Sequence, residues 1–140
     1  MEDRFVKQIL VIRKDIGKKC RKGKLMAQAS HASVAALLMG MGRDKFDVEP
    51  KDIVLQAEKN SPIERWLNSA FTKITLSVDT DDELVKLYEK IKEENPLIPC
   101  ALITDNGKTE FHGIPTNTCL GIGPWWADEI DIFTAKLPLF

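Results

Sequence analysis

Cysteine is scarce in this chain of 140 residues: Cys20, Cys100 and Cys119 stand far apart and form no CxxC pair. An odd, dispersed set excludes the even framework of a small secreted scaffold, a cysteine zinc site and a dithiol redox centre, and it predicts free thiols. Long apolar runs are missing as well. No stretch approaches the roughly 20 residues that cross a bilayer. The opening "MEDRFVKQ" has the acidic, short-apolar character of mature protein, so a cytoplasmic setting with no membrane partner is expected. There is no GxSxG, HExxH or Walker motif, which leaves a nucleophilic serine, a metalloprotease-type zinc and a P-loop without support. "LGIGP" has too few glycines in the wrong spacing for a dinucleotide loop, and His112 has no metal partner at ligand spacing. Internal repeats and low-complexity segments are absent too.

What is present is the composition of an ordinary globular protein, 44% apolar and 29% charged, long enough to bury a core as one domain over residues 1–140. The formal net charge of −1 conceals an asymmetry. Between Arg13 and Lys24 there are seven cations and one anion, a segment charge of +6, so everything else sums to −7. Non-specific nucleic-acid binding by the whole surface is thereby disfavoured, and one focused basic patch is expected. The cluster directly precedes an alanine-rich, helix-like run, although cations at a helix N-terminus oppose the helix dipole. A polyanion would compensate; a merely solvated loop is the plainer alternative.

"KQILVIR" reads as a buried strand, and the residues from about Lys24 to Met41 as a helix. "SPIERWLNSA" carries Ser61 as N-cap, Pro62 at the first helical position and Glu64 three residues after the cap. "FTKITLSVD" alternates as a strand, and Asp79 or Thr80 caps the amphipathic "DDELVKLYEKIKEEN". "CALITD" and "TCLGIGP" read as two more strands and "WWADEIDIFTAKL" as a closing helix, its two tryptophans either stacking on bases or, more plainly, forming a hydrophobic staple for that helix. This order predicts a single α/β sheet covered by helices, with at least one non-parallel strand because only a loop separates the last two. Residues 42–60 have no clean periodicity and are expected to form an extra loop or lid with one helical turn.

On the first helix Lys24, Gln28 and His31 share one narrow stripe, while the other directions carry Leu, Met, Ala and Val. Such a helix is expected to be deeply packed, with the stripe as its window to water. "TDNGKTEF" places Asp105 at the end of an apolar strand, where α/β sheets present working groups, and Asn106-Gly107 is a turn signal that needs no function to explain it. Thr118 precedes the last strand, where it serves either to orient a water or to satisfy a turn.

Taken together, "ILVIRKDI", "KGKLMAQASHASVAA", "LITDNGKTE" and "TCLGIGP…DEIDIFTAKLPLF" resemble the type 2 peptidyl-tRNA hydrolase family over nearly the whole chain. The resemblance implies a four-stranded mixed sheet flanked by helices on both faces. It also implies hydrolysis of the ester between a peptide and the 3′ ribose of tRNA, without metal or cofactor. By matching position the family's functional residues fall on Lys24, Gln28, Asp105 and Thr118, with Lys22, His31, Lys108 and Thr109 nearby. Lys18, Lys19, Arg21 and Lys22 are the expected phosphate contacts to the tRNA acceptor end. The competing reading is a tRNA-binding module without catalysis. A homodimer is compatible with the sequence, which does not set the oligomeric state.

Overall fold

The computed structural model describes residues 4–42, 54–107, 111 and 113–140. Strand β1 (Val6–Arg13) leads through a single 3-10 turn (Lys14–Ile16) to helix α1 (Lys22–Gly40). Helix α2 (Pro62–Leu67), strand β2 (Lys73–Val78), helix α3 (Asp81–Glu94) and strand β3 (Cys100–Asp105) follow. Strand β4 (Thr116–Trp126) and helix α4 (Ala127–Thr134) complete the order.

The strands form one mixed sheet in the order β2-β1-β4-β3. β1 runs parallel to β2, and β4 is antiparallel to both β1 and β3. Ile9, Val11, Leu120 and Ile122 pack on one face beneath Leu84 and Ile91 of α3 and Ile130 of α4. On the other face Leu10, Ile12 and Cys119 pack against Ala32 of α1, with Leu25, Ala29 and Ile103 at the margin. The outer edge of β2 is closed by the chain's last residues, where Ser77 N donates to Pro138 O and Phe140 N to Thr75 O. An edge strand with paired amides offers no template for a further strand.

Caps settle two helix starts as the sequence predicts. Ser61 Oγ accepts from Glu64 N, with Pro62 in the first turn, and Thr80 Oγ1 accepts from Glu83 N. α1 differs from expectation. Instead of being packed all round, it buries one row, Gln28, Ala32 and Ala36, while Met26, Val34 and Met39 stand in solvent. Its alanines permit close approach to the sheet: a Cβ on Gly121 of β4 would lie 2.3 Å from Ala32 O. The polar stripe is likewise split, because Gln28 faces the sheet at 3% exposure whereas His31 is exposed.

The last strand is longer than the sequence indicates, since β4 runs through both tryptophans and α4 begins only at Ala127. Trp125 Nε1 donates to Glu129 Oε1 at 2.9 Å. The Trp126 ring lies between the Arg4 and Arg65 guanidiniums, 4.2 and 5.4 Å from its centroid. Of the expected loop or lid at 42–60, residues 43–53 lie outside the described residues, and 54–60 carry no helical turn.

Candidate active site

α1 begins with Arg21 at the N-cap position, no side-chain cap and no acid in the first turn. Lys24 therefore sits one turn into an uncapped helix. Its ammonium donates to Asp105 Oδ1 at 3.1 Å, and the two side chains are only 17% and 12% exposed. Asp105 is the last residue of β3, and its second oxygen, Oδ2, accepts from Gly107 N at 3.0 Å. This turn requires glycine: Gly107 has φ +81°, and a Cβ there would lie 2.3 Å from Ile114 O. Local backbone geometry thus fixes the carboxylate before any ligand arrives.

One helical turn after Lys24, Gln28 Oε1 accepts from Thr118 Oγ1 at 2.5 Å in a fully buried contact. Thr118 reaches this position through a bulge. Ile103 pairs with Cys119 but Thr104 pairs with Asn117, so β4 carries one residue more than β3 and Thr118 is the extra one. Strict alternation with Cys119 would turn Thr118 away from α1, and the bulge re-aims it. Asp105 pairs with Thr116 two residues further along, so the two polar contacts are neighbours across the β3–β4 pair.

Four of the residues singled out from the sequence, Lys24, Gln28, Asp105 and Thr118, are thereby brought together. Lys18, Lys19 and Arg21 are exposed on the segment that enters α1, and Lys22 is exposed as its first residue, two positions before Lys24. His31 is exposed further along α1 and makes no hydrogen bond to the Lys24–Asp105 pair. Lys108 and Thr109 lie outside the described residues, as does His112.

Sequence reasoning passes over Arg13 and Phe111. Arg13 forks onto Asp15 with contacts of 2.9 and 2.6 Å and donates to Asn117 O at 2.9 Å, tying the end of β1 to the residue before Thr118. The Asp15 contact holds its carboxyl below the usual carboxylate range and raises the guanidinium above its own. The signal was available, since Arg13, like Asp105, ends an apolar strand. Phe111 is buried at 7% exposure with its ring centroid 5.9 Å from Lys24 Nζ, and no periodicity announces a buried residue in a loop.

Cys100 and Cys119 form no disulfide, and burial pushes their thiols up to about 12. At neutral pH neither is a thiolate nucleophile. No helix among the described residues is long and apolar enough to cross a membrane.

Residues 6–140 match the family described as peptidyl-tRNA hydrolase PTH2. The chain belongs to the peptidyl-tRNA hydrolase PTH2 family. A peptidyl-tRNA hydrolase of Methanopyrus kandleri is 37% identical over 133 residues, covering 95% of this chain and 97% of the relative. One of Methanothermobacter thermautotrophicus is 35% identical over 134 residues, with 96% and 99% covered. One of Methanocaldococcus jannaschii is 31% identical over 136 residues, with 96% and 99% covered. The family likeness thus spans both ends of the site, from Lys24 on α1 to Thr118 on β4.

Proposed function

We propose that the protein hydrolyses the ester between a peptide, or an N-blocked amino acid, and the 3′ ribose of tRNA, with residues 1–140 acting as one domain. The observation that carries the catalytic assignment is the 3.1 Å contact between Lys24 of α1 and Asp105 of β3, beside the Gln28–Thr118 pair. An ammonium and a carboxylate drawn from segments 81 residues apart are held in contact at low exposure. Family membership supports the reaction, and it favours catalysis over a binding module.

In this scheme water attacks the ester carbonyl. Asp105, accepting from Lys24 and from Gly107 N, orients the water with whichever lone pairs remain. As the carbonyl becomes an oxyanion, the Lys24 ammonium and the Gln28 amide Nε2 donate to it. Thr118 Oγ1 donates a hydrogen bond to Gln28 Oε1, which leaves the nitrogen end of the amide for the substrate. Preorganised donors of this kind lower the barrier because they need no reorientation when charge develops. The tetrahedral adduct then collapses: the proton released by the attacking water passes to the ribose oxygen as its bond to the carbonyl carbon breaks, and free tRNA and peptide result. No step uses a metal.

The exposed cations Lys18, Lys19, Arg21 and Lys22 are assigned to phosphates of the acceptor end. They stand beside a helix start that has neither a side-chain cap nor an acid in its first turn, so a phosphate answers the charge conflict that the sequence poses. Acting on peptidyl-tRNA sets the protein in the cytoplasm. The outward row Met26, Ser30 and Val34 of α1 supports association of two copies. Sedimentation equilibrium at monomer mass over the micromolar range would refute that association.

The decisive experiment is single-turnover hydrolysis of N-acetyl-aminoacyl-tRNA beside free aminoacyl-tRNA. Lys24→Ala and Asp105→Ala are each expected to lower the rate by about 10²-fold or more with folding retained. Parental rates in either variant would remove that residue from the scheme, and tRNA binding without peptide release by the parent protein would favour the binding module.

A further inference from the structure

A cleft of about 620 Å³ opens at the same end of the sheet, lined by Ile16 and Lys19 on one side, by Phe111, Ile114 and the start of β4 on the other, and by Asp81 of α3. That volume falls within the range of small-ligand sites. Three links join it to the proposed catalytic group. Phe111 lines it and also lies 5.9 Å from Lys24 Nζ. Thr116 lines it and is the cross-strand partner of Asp105. Asn117 lines it and precedes Thr118. A larger cavity, about 810 Å³, lies at the other end of the sheet near Gly40 and Pro99 and brings none of these residues together.

Resting on the hydrolysis proposed above, we infer that this cleft receives the 3′-terminal adenosine nucleotide of the tRNA, its ribose ester directed to Lys24. The lining is mixed, polar on the Arg13, Asp81 and Asn117 side, while Ile114, 63% exposed, and Pro115 offer a purine ring an apolar contact on entry. The floor is rigid. Asn117 Oδ1 accepts from Thr104 Oγ1 at 2.7 Å, its Nδ2 donates to Asp81 Oδ1 at 3.1 Å, and its carbonyl accepts from Arg13. A surface fixed by so many hydrogen bonds suits a group that is the same in every substrate. The terminal adenosine is such a group, whereas the peptide varies from one substrate to the next.

Charge sets the direction. Lys19 stands exposed on the rim nearest the basic segment and faces the 5′-phosphate. Asp81, whose side chain is 46% exposed at the start of α3, holds Asn117 at 3.1 Å and Arg13 at 3.8 Å through Oδ1, and its second oxygen accepts from an exocyclic amine. A base carrying an amine at its edge therefore lies with the amine toward α3 and the phosphate toward the loop. The peptide is left to extend past Asp105, away from the cleft.

The test is titration of the full-length, isotope-labelled protein with AMP, IMP and ribose 5-phosphate, followed by amide NMR shifts. AMP is expected to move the amides of Ile114, Thr116 and Asn117 and to bind about tenfold more tightly than IMP, which lacks the amine. Asp81→Asn should erase the preference for AMP over IMP. Ile114→Asp, at an exposed site that leaves folding intact, should remove the AMP shifts and raise the Michaelis constant for peptidyl-tRNA. Equal affinity for AMP and ribose 5-phosphate would reduce the cleft to a phosphate contact and overturn the assignment, as would AMP shifts confined to other regions. Peptidyl-tRNA hydrolysis by the same preparation separates the two readings: turnover without these shifts sinks the subsite alone, and shifts without turnover sink the hydrolysis alone.

Discussion

At the scale of single residues, the site depends on two contacts, the part-buried Lys24–Asp105 pair and the buried Thr118–Gln28 bond. The Thr118–Gln28 bond lies wholly inside the fold, Thr118 having no exposed surface and Gln28 only 3%. Removing one partner strands the other, and an unsatisfied buried polar group costs about 1–3 kcal/mol. Thr118→Val is therefore expected to lower stability by that amount. The pair Thr118→Val with Gln28→Leu should be less destabilised than the two single losses added, because neither polar group then remains. Activity should behave differently. Gln28→Leu removes a proposed oxyanion donor and is expected to slow hydrolysis by about 10²-fold whether or not Thr118 is also changed. Urea unfolding of the parent, both singles and the double, set beside their single-turnover rates, separates the structural cost from the chemical one. A Gln28→Leu variant that is destabilised but fully active would leave the amide a purely structural role.

At the scale of elements, the contact between α1 and β4 decides whether these residues meet. Gly121 lies against Ala32, and a methyl group there would come within 2.3 Å of the helix carbonyl and 3.2 Å of Ala36 Cβ. Gly121→Ala must therefore push α1 off the sheet. Overpacking of this kind costs about 1–3 kcal/mol. The displaced helix would carry Lys24 and Gln28 away from Asp105 and Thr118, so turnover should fall by more than stability alone accounts for. Thermal unfolding and the hydrolysis rate measured well below the midpoint check this, and parental activity in the folded variant would show that the site tolerates helix movement. The same contact explains what could be read from the sequence. Element order, the caps at Ser61 and Thr80 and the strand-end position of Asp105 are local signals, and each was legible. The alanines of α1 were legible only as apolar, because small side chains that let a helix approach a sheet look the same as side chains buried on every face. Thr118 shows the other limit: a one-residue bulge is set by strand pairing across the sheet and leaves no mark on local periodicity. Phe111 and Arg13 likewise acquire meaning only from partners distant in the chain.

At the scale of the whole molecule, charge is divided rather than balanced. The +6 of residues 13–24 enters the candidate-site end of the sheet, and it stands against −7 in the rest of the chain, three of those acids being Asp81, Asp82 and Glu83 in the first turn of α3. Acids at that position favour the α3 dipole, whereas the cations before α1 oppose theirs, so only the second group gains from an added anion. On the proposed reading this rim draws the phosphates of an RNA strand, and phosphate contacts give orientation without base readout. Replacing Lys18, Lys19 and Arg21 together by alanine should leave the chemical step nearly unchanged, because the contact between Lys24 and Asp105 is made by those two side chains themselves. The Michaelis constant for peptidyl-tRNA should rise. Each phosphate contact to a single strand contributes about 0.7 to the slope of log affinity against log salt, so losing three should flatten that slope by about 2. Measurements of the Michaelis constant from low to moderate potassium chloride give the slope directly. A variant with the parental slope would place the phosphates elsewhere on the molecule, and one with a slower single-turnover rate at saturating protein would mean that the rim also positions the ester for attack.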